Sequence, residues 1–411
     1  MITRALLDVS IKGIGALHRT SVFPCGIFQC MKGVNRAPGD PNYDLFRLAL
    51  RSTAQRLYPN YANVDWSGNA GYDRNDPRTY VSTMGCRTYN GYDINGLGYL
   101  KDGRGNIAPV TIILPTLAME VKTRNVNLVD GGIADKQLDI EDFMKLLDTK
   151  IHEARDMLIE RYEWICSQSS KSAKFMYENG VMAGYIPEEG IRSALKHGTL
   201  VIGQLGLAET LQILIGCDHT EKEGMELAKE IEALFNKRCS EFKKELSLNF
   251  GVYYTPAENL CYTAMKKFRE KYGIIPNVSE NDFFTNSMHV PVWKKMSVFE
   301  KIDIEAQLTG YSNAGCITYI ELDSTIKNNL EALEVIVNYA MDKDIPYFAV
   351  NVPNDTCLSC GYTDEFNDSC PECGSEEIQQ LRRVTGYLTG NYKTAFNLGK
   401  QQEVEKRVKH G

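Results

Sequence analysis

The sequence lacks several features that would fix its class at once. It has no run of 18 or more apolar residues, the length that crosses a bilayer as a helix, so a helical membrane protein is not expected. Its opening residues, Met1-Ile2-Thr3-Arg4-Ala5-Leu6-Leu7-Asp8, carry neither the long apolar core nor the small-residue cleavage site of a secretory signal. Positive charge is in deficit. The formal net charge of -7 argues against a protein that coats nucleic acid or a membrane surface, so any polyanionic ligand must meet a local pocket. The glycine fingerprint G-x-G-x-x-G is missing from Thr199-Leu200-Val201-Ile202-Gly203-Gln204-Leu205-Gly206-Leu207-Ala208-Glu209. Close strand-helix packing explains those glycines as well as a phosphate cradle would.

What is present is ordinary for a soluble globular chain: 411 residues, 43% hydrophobic and 24% charged, enough to bury a large core. Twelve cysteines, four of them in paired knuckles, imply a reducing compartment, the cytosol, rather than a disulfide scaffold. The four are Cys357, Cys360, Cys370 and Cys373, spaced C-x-x-C, nine residues, C-x-x-C. Each pair on a tight knuckle aims two thiolates at one tetrahedral ion, and four thiolates close the coordination sphere, so the expected metal is a structural zinc.

Patterning predicts an α/β protein. A buried strand is expected over Thr20–Phe28 and a helix from Asp44 after the turn Gly39-Asp40-Pro41-Asn42. Residues 58–106, rich in Asn, Asp and Gly, read as a long loop of the kind that is functional or disordered. A strand follows at Val110–Leu114. Ile140, Phe143, Leu147, Ile151, Ala154, Leu158 and Tyr162 then form one stripe of a long amphipathic helix. Strand into helix is expected over 199–209, and a charged helix runs through Ala228, Ile231, Leu234 and Phe235. After a strand at Phe250–Tyr254, Thr255-Pro256-Ala257-Glu258 looks like a helix start with proline in the first turn. Strand Cys316–Leu322, a helix over 326–342 and strand Tyr347–Asn351 imply parallel pairing.

Two stretches carry a family likeness. Arg383-Val384-Thr385-Gly386-Tyr387, with Asn397-Leu398-Gly399-Lys400 and the four-cysteine cluster before it, resembles the C-terminus of the anaerobic (class III) ribonucleoside-triphosphate reductases, which are glycyl-radical enzymes. Met84-Gly85-Cys86-Arg87, followed by Gly105-Asn106 and Pro109-Val110-Thr111, resembles the finger loop of the same family. The resemblance covers essentially the whole chain but matches only the later portion of the family's longer polypeptide. It implies part of a ten-stranded α/β barrel over 1–352 with a finger loop at about 80–106, a zinc ribbon at 353–376, and a glycyl-radical loop and closing helix at 377–411.

The resemblance also implies a catalytic set: a backbone radical on Gly386, a thiyl on Cys86, and Asn106 facing the substrate. Glu258 in T-P-A-E, with Asn286 and Ser287 in Thr285-Asn286-Ser287-Met288-His289, would bind substrate. Read alone, Cys86 is a small buried hydrophobe, Asn106 a turn residue, Glu258 a carboxylate complementing a helix dipole, and His289 a core hydrogen-bonding residue. Formate is the implied reductant, and S-adenosylmethionine with an iron–sulfur cluster belongs to a separate activase. Substrates would be ribonucleoside triphosphates, and dNTP or ATP effectors would bind the upstream part that this sequence does not match. That part is expected from a second chain, unless this one is an inactive fragment; a homodimer or a split-subunit assembly follows, with no membrane partner. Two other readings remain. A lyase or acyltransferase like pyruvate formate-lyase would use adjacent cysteines, and no two cysteines are adjacent here. A zinc-ribbon nucleic-acid binder would use Arg382, Arg383, Lys400, Lys406, Arg407 and Lys409.

Overall fold

A computed structural model describes residues 1–84, 87–128, 135–366, 368–384 and 387–410. Its helices are α1 (Ile2–Lys12), α2 (Tyr43–Arg56), α3 (Leu114–Leu128), α4 (Lys136–Cys166), α5 (Lys174–Glu178), α6 (Arg192–Leu195), α7 (Leu207–Ile215), α8 (Lys222–Leu246), α9 (Asn259–Tyr272), α10 (Val298–Thr309), α11 (Leu330–Asp342), α12 (Tyr392–Ala395) and α13 (Leu398–Lys406). The strands are β1 (Ile27–Cys30), β2 (Asn60–Asn63), β3 (Thr83–Met84), β4 (Thr88–Tyr89), β5 (Asn106–Ile113), β6 (Thr199–Leu205), β7 (Asn249–Val252), β8 (Thr318–Glu321), β9 (Tyr347–Asn351), β10 (Asn354–Cys357), β11 (Thr363–Asp364), β12 (Ile378–Val384) and β13 (Tyr387–Thr389). The chain divides into two compact units. One holds Met1–Ser67, Val292–Ala306 and Ile317–Gly411, the other Gly68–Pro291 and Gln307–Cys316.

In the first unit one sheet has the order β1-β2-β9-β8. Pairing is parallel between β1 and β2 and between β8 and β9, but antiparallel between β2 and β9, so the sheet reverses direction at its middle. Phe28, Tyr61, Ile320, Phe348 and Val350 from these strands form one apolar core with Phe46 and Leu50 of α2, Ile302 of α10, and Leu333 and Val337 of α11. Each such side chain contributes about 1.5–3 kcal/mol by leaving water. The helix expected over 326–342 begins as a 3-10 turn at Ser324–Asn328, and α11 starts where the Asn329 side chain caps the Ala332 N–H. The strand expected over Thr20–Phe28 is shorter and later, because Pro24 cannot donate to a ladder and only Ile27–Cys30 pairs. The strand expected over Cys316–Leu322 likewise pairs only at Thr318–Glu321. A second, antiparallel sheet of order β11-β10-β12-β13 carries the cysteine knuckles and the tail.

In the second unit β5, β6 and β7 make a parallel sheet. All seven residues of β6 are buried. The stripe on α4 is as expected except at its start, where Asp139 is buried, bonded to Asn125 Nδ2 at 2.8 Å, and Ile140 is only half-buried. Gly203 matters here, since a Cβ at that position would lie 2.0 Å from Tyr253 O; the bare backbone lets the end of the β7 segment close onto β6.

Residues 58–106 are not one featureless loop. Asn60–Asn63 is a fully buried strand, and residues 90–104 are held by buried polar groups. Asp93 accepts from Asn249 Nδ2 at 2.6 Å and from the Leu97 N–H at 2.9 Å, and lies 2.8 Å from His197 Nδ1. Burial opposes its charge, yet these bonds hold its carboxyl below the ordinary range. Lys101 donates to Asn90 O at 2.8 Å, and Arg104 donates to His197 O and Leu100 O, both at 2.8 Å.

Candidate active site and four-cysteine centre

Cys86 and Gly386 lie outside the described residues; the nearest described ones are Met84 and Arg87, and Val384 and Tyr387. On one side of Cys86, β3 pairs with β4 antiparallel, Met84 opposite Thr88. Arg87 is completely buried, and its Nη1 donates to Tyr254 O at 3.1 Å and to Asn286 Oδ1 at 2.8 Å. The Asn286 amide nitrogen donates in turn to Thr255 O at 3.1 Å and also to Pro256 O. Three stretches far apart in sequence therefore meet: the base of the finger, the segment entering T-P-A-E, and T-N-S.

The T-P-A-E stretch is not a helix start. α9 begins at Asn259, and Ala257 and Glu258 both have positive φ, 50° and 48°. Proline thus sits outside the helix, and two non-glycine residues in succession hold a conformation costing about 1–3 kcal/mol each, as is common where backbone shape serves a site. Glu258 is the N-cap residue but makes no side-chain cap bond, so its carboxylate is not engaged in closing the helix. Ser287 is also at positive φ, 42°, is wholly buried, and its Oγ lies 3.5 Å from Asn286 Oδ1.

Asn106, at the start of β5, is tied elsewhere. Its Nδ2 donates to Ala314 O at 3.1 Å, the carbonyl that also accepts the Tyr89 N–H at 3.1 Å. Its Oδ1 is buried with no hydrogen-bond partner among the described residues. Thr111 Oγ1, five residues further along β5, meets Thr255 Oγ1 at 2.9 Å, so Asn106 stands roughly 15 Å along the strand from that end.

Sequence reading missed three contributors. Glu209 Oε1 accepts both the Thr285 N–H at 2.8 Å and Thr285 Oγ1 at 2.7 Å, while the Gly206 N–H donates to Thr285 O at 3.1 Å, which fixes the residue before Asn286. Desolvation pushes the Glu209 carboxyl up to about 7 against the pull of those bonds. Glu232 on α8, bonded by Gln204 Nε2 at 2.8 Å, is pushed up to about 8 by the same cause. Gly315 is the third: Tyr254 N–H donates to its carbonyl at 2.9 Å, and it bridges to Thr88. Only the glutamate at the end of the strand-to-helix stretch carried a readable signal, as an acid in a helix first turn.

In the first unit the four cysteine sulfurs gather within 4.8 Å of one another, with Cys357 and Cys373 at 3.5 Å and Cys360 and Cys370 at 3.6 Å. Tetrahedral thiolates about 2.3 Å from zinc stand roughly 3.8 Å apart, so the set fits a structural zinc with little adjustment. The Cys360 N–H holds the Cys357 thiol down to about 6; Cys360, despite the Tyr362 N–H beside it, is pushed up to about 12 by desolvation and the neighbouring thiols. Four such groups ionise together only around a cation.

Cys357 belongs to β10, which pairs Cys357 with Ile378 and Asn354 with Leu381 of β12. β12 in turn pairs Val384 with Tyr387 of β13. Arg383, three residues before Gly386, is buried over the Tyr58 ring at 5.0 Å and donates to Asn60 Oδ1 at 2.9 Å.

The solved structures show the fold class. The anaerobic ribonucleotide reductase from Thermotoga maritima with dATP in its specificity site matches with a TM-score of 0.64 at 18% identity, over 94% of this chain and 56% of that one. The glycerol-bound B12-independent glycerol dehydratase from Clostridium butyricum matches with a TM-score of 0.64 at 11% identity, over 94% and 52%. The fold is the mixed α/β fold of anaerobic ribonucleotide reductases and glycyl-radical enzymes. Within that class, the family model for the anaerobic ribonucleoside-triphosphate reductase matches residues 1–410, and the chain belongs to that family. The anaerobic ribonucleoside-triphosphate reductase of Haemophilus influenzae is 32% identical over 424 residues, covering 100% of this chain and 56% of the relative. The chain thus spans little more than half of that relative's length.

Proposed function

We propose that this chain supplies the radical-bearing and substrate-facing part of an enzyme that reduces ribonucleoside triphosphates to 2′-deoxyribonucleoside triphosphates without oxygen. The observation that carries this reading is the meeting of finger base, T-P-A-E and T-N-S through Arg87 and Asn286, in a chain of this family. A glycine suits the radical position because the flattened Cα is delocalised into both adjoining peptides and a side chain would crowd it. Gly386 passes the unpaired electron to Cys86 by taking its S–H hydrogen. The thiyl then removes the ribose 3′ hydrogen, forming S–H and breaking C–H, two bonds of similar strength. The 2′ hydroxyl leaves as water. Formate supplies two electrons and leaves as carbon dioxide, and the 3′ hydrogen returns from sulfur, so nucleotide, formate and one proton give deoxynucleotide, carbon dioxide and water.

Positioning provides most of the rate advantage in such a sequence. Asn106, with a buried acceptor oxygen still to be matched, suits a ribose hydroxyl. Glu258, left out of the helix cap, suits a proton or hydroxyl on the substrate, and Ser287 a phosphate or sugar oxygen, while Asn286, its two N–H bonds given to Thr255 O and Pro256 O, would meet a substrate hydroxyl only through Oδ1. Zinc on Cys357, Cys360, Cys370 and Cys373 would stiffen the sheet whose β12 leads to Gly386. The reversal between β2 and β9 is in keeping with residues 1–352 being part of a ten-stranded barrel built from two opposed halves, followed by a ribbon at 353–376 and a radical tail at 377–411. A radical-SAM activase with an iron–sulfur cluster would install the radical, effectors such as dATP or ATP would bind outside this chain, and the assembly, a homodimer or split subunits, would be cytoplasmic.

The test is anaerobic co-expression with the neighbouring reading frames and an activase. A doublet electron paramagnetic resonance signal that disappears in Gly386→Ala, with deoxynucleotide formation that also disappears in Cys86→Ser, is expected. A competent activase acting on a complete assembly without producing any signal overturns the reading.

A further inference from the structure

Arg87 is the largest of the fully buried side chains among the described residues, and it follows Cys86 directly in sequence. Removing a guanidinium from water is costly, so the bonds that hold this one inside carry weight. Here Nη1 reaches two acceptors on two different segments, Tyr254 O at 3.1 Å and Asn286 Oδ1 at 2.8 Å. Those segments are themselves linked, since Asn286 Nδ2 donates to Thr255 O at 3.1 Å. The main chain that follows is held as well. Thr88 bridges to Gly315, the Tyr89 N–H donates to Ala314 O at 3.1 Å, and a Cβ on Gly315 would lie 2.5 Å from Arg87 O. Gly315 has φ +144°, a conformation that side-chain-bearing residues rarely adopt. The Arg87 side chain is thus held by Tyr254 and Asn286, and the main chain that follows it by Ala314 and Gly315.

We propose that Arg87, the residue after Cys86 in sequence, is a positioning residue of the reaction, registering the base of the finger against the T-P-A-E and T-N-S loops. This rests on the function proposed above. An apolar side chain would fill the same volume, but it would not set a direction; a planar guanidinium with hydrogen bonds to two segments does. Hydrogen-atom transfer between sulfur and a ribose carbon is sensitive to such register, and a displacement of about 1 Å costs on the order of 100-fold in rate. Gly315 is what allows the close approach.

The experiment compares Arg87→Lys and Arg87→Met with the parent, each as the full chain in its complete activated assembly. In Arg87→Lys the radical yield per chain is expected to stay within about twofold of the parent. Turnover per radical should drop on the order of 100-fold, while KM for the nucleotide changes less than about threefold. Parent-like turnover per radical, or a change confined to KM, overturns the proposal. Hydrogen exchange gives a second reading that needs no activity: residues 87–90 should exchange about tenfold faster in Arg87→Lys with β5–β7 unchanged, whereas unchanged exchange at 87–90 or uniform acceleration across the unit overturns it. If Arg87→Met does not fold, the lysine variant decides alone. If the parent itself forms no radical, the proposed function fails and the exchange result still decides whether Arg87 clamps this segment.

Discussion

Two buried arginines flank the two motif residues, and they are held by different chemistry. Arg87 beside Cys86 is gripped by directional hydrogen bonds to a peptide carbonyl and an amide oxygen. Arg383 near Gly386 lies among aromatic faces, 5.0 Å from the Tyr58 ring and 6.0 Å from that of Tyr319, with a bond to Asn60 Oδ1 at 2.9 Å and a long one to Leu57 O at 3.5 Å. Burial opposes its charge, but Tyr58, Tyr319 and Tyr347 around it lift its pKa above the ordinary value. Hydrogen bonds lose strength steeply with angle, whereas a cation over a ring keeps its attraction through sliding. The first arrangement fixes register; the second fixes mainly proximity.

Metal removal should break the comparison most sharply. β12 is joined to the Cys357 strand, so chelation should raise hydrogen exchange across residues 378–384 by about 100-fold or more while residues 87–90 keep the parent rate. Equal acceleration at both places would mean that the two grips are not independent. The next effect is the pH response, measured as urea stability at pH 4.5 and 8. Glu209 and Glu232 have pKa values raised by desolvation, to about 7 and about 8. Their contribution is full below about 4.5 and is lost as the pH climbs through those values, so Glu232→Gln should stabilise at pH 8 by on the order of 3 kcal/mol and change little at pH 4.5.

His410 tilts the other way. Burial first, then Lys301, lowers it to about 4, against the pull of Glu305. Its contribution is present above about 6.5 and fades as the pH falls through 4, so His410→Asn should flatten the acid side only. The smallest effect sharpens the finger side. Ala257→Gly relieves one positive φ and should raise stability by up to about 1 kcal/mol without altering exchange at Arg87; a loss of stability would show that the local shape is not strained.

Elements set by local pattern were legible in the sequence. The α4 stripe, the β8-α11-β9 unit and the cysteine knuckles depend on spacings within one or two turns. β2 was not legible, because Asn60-Tyr61-Ala62-Asn63 reads as loop until its amides find partners: Asn60 Nδ2 donates to Tyr347 OH and Asn63 Nδ2 to Met341 O, nearly three hundred residues away. The helix start read into T-P-A-E failed for a related reason. Proline and glutamate fit a first turn locally, but the peptides there serve Asn286 instead. Arg87 and Gly315 were invisible as a pair, since 227 residues separate Thr88 from its bridging partner and neither belongs to a periodic pattern. The roles given to Cys86, Gly386, Asn106, Glu258, Asn286 and Ser287 come from motif likeness.

The reversal between β2 and β9 has a geometric result for the first unit. Open sheets whose strands all run one way gather their carboxyl-end loops on a single rim, and ligands settle there. With β1 and β2 pointing against β8 and β9, the carboxyl-end loops of the two pairs leave from opposite edges of the sheet, so a ligand at either edge meets the loops of one pair only.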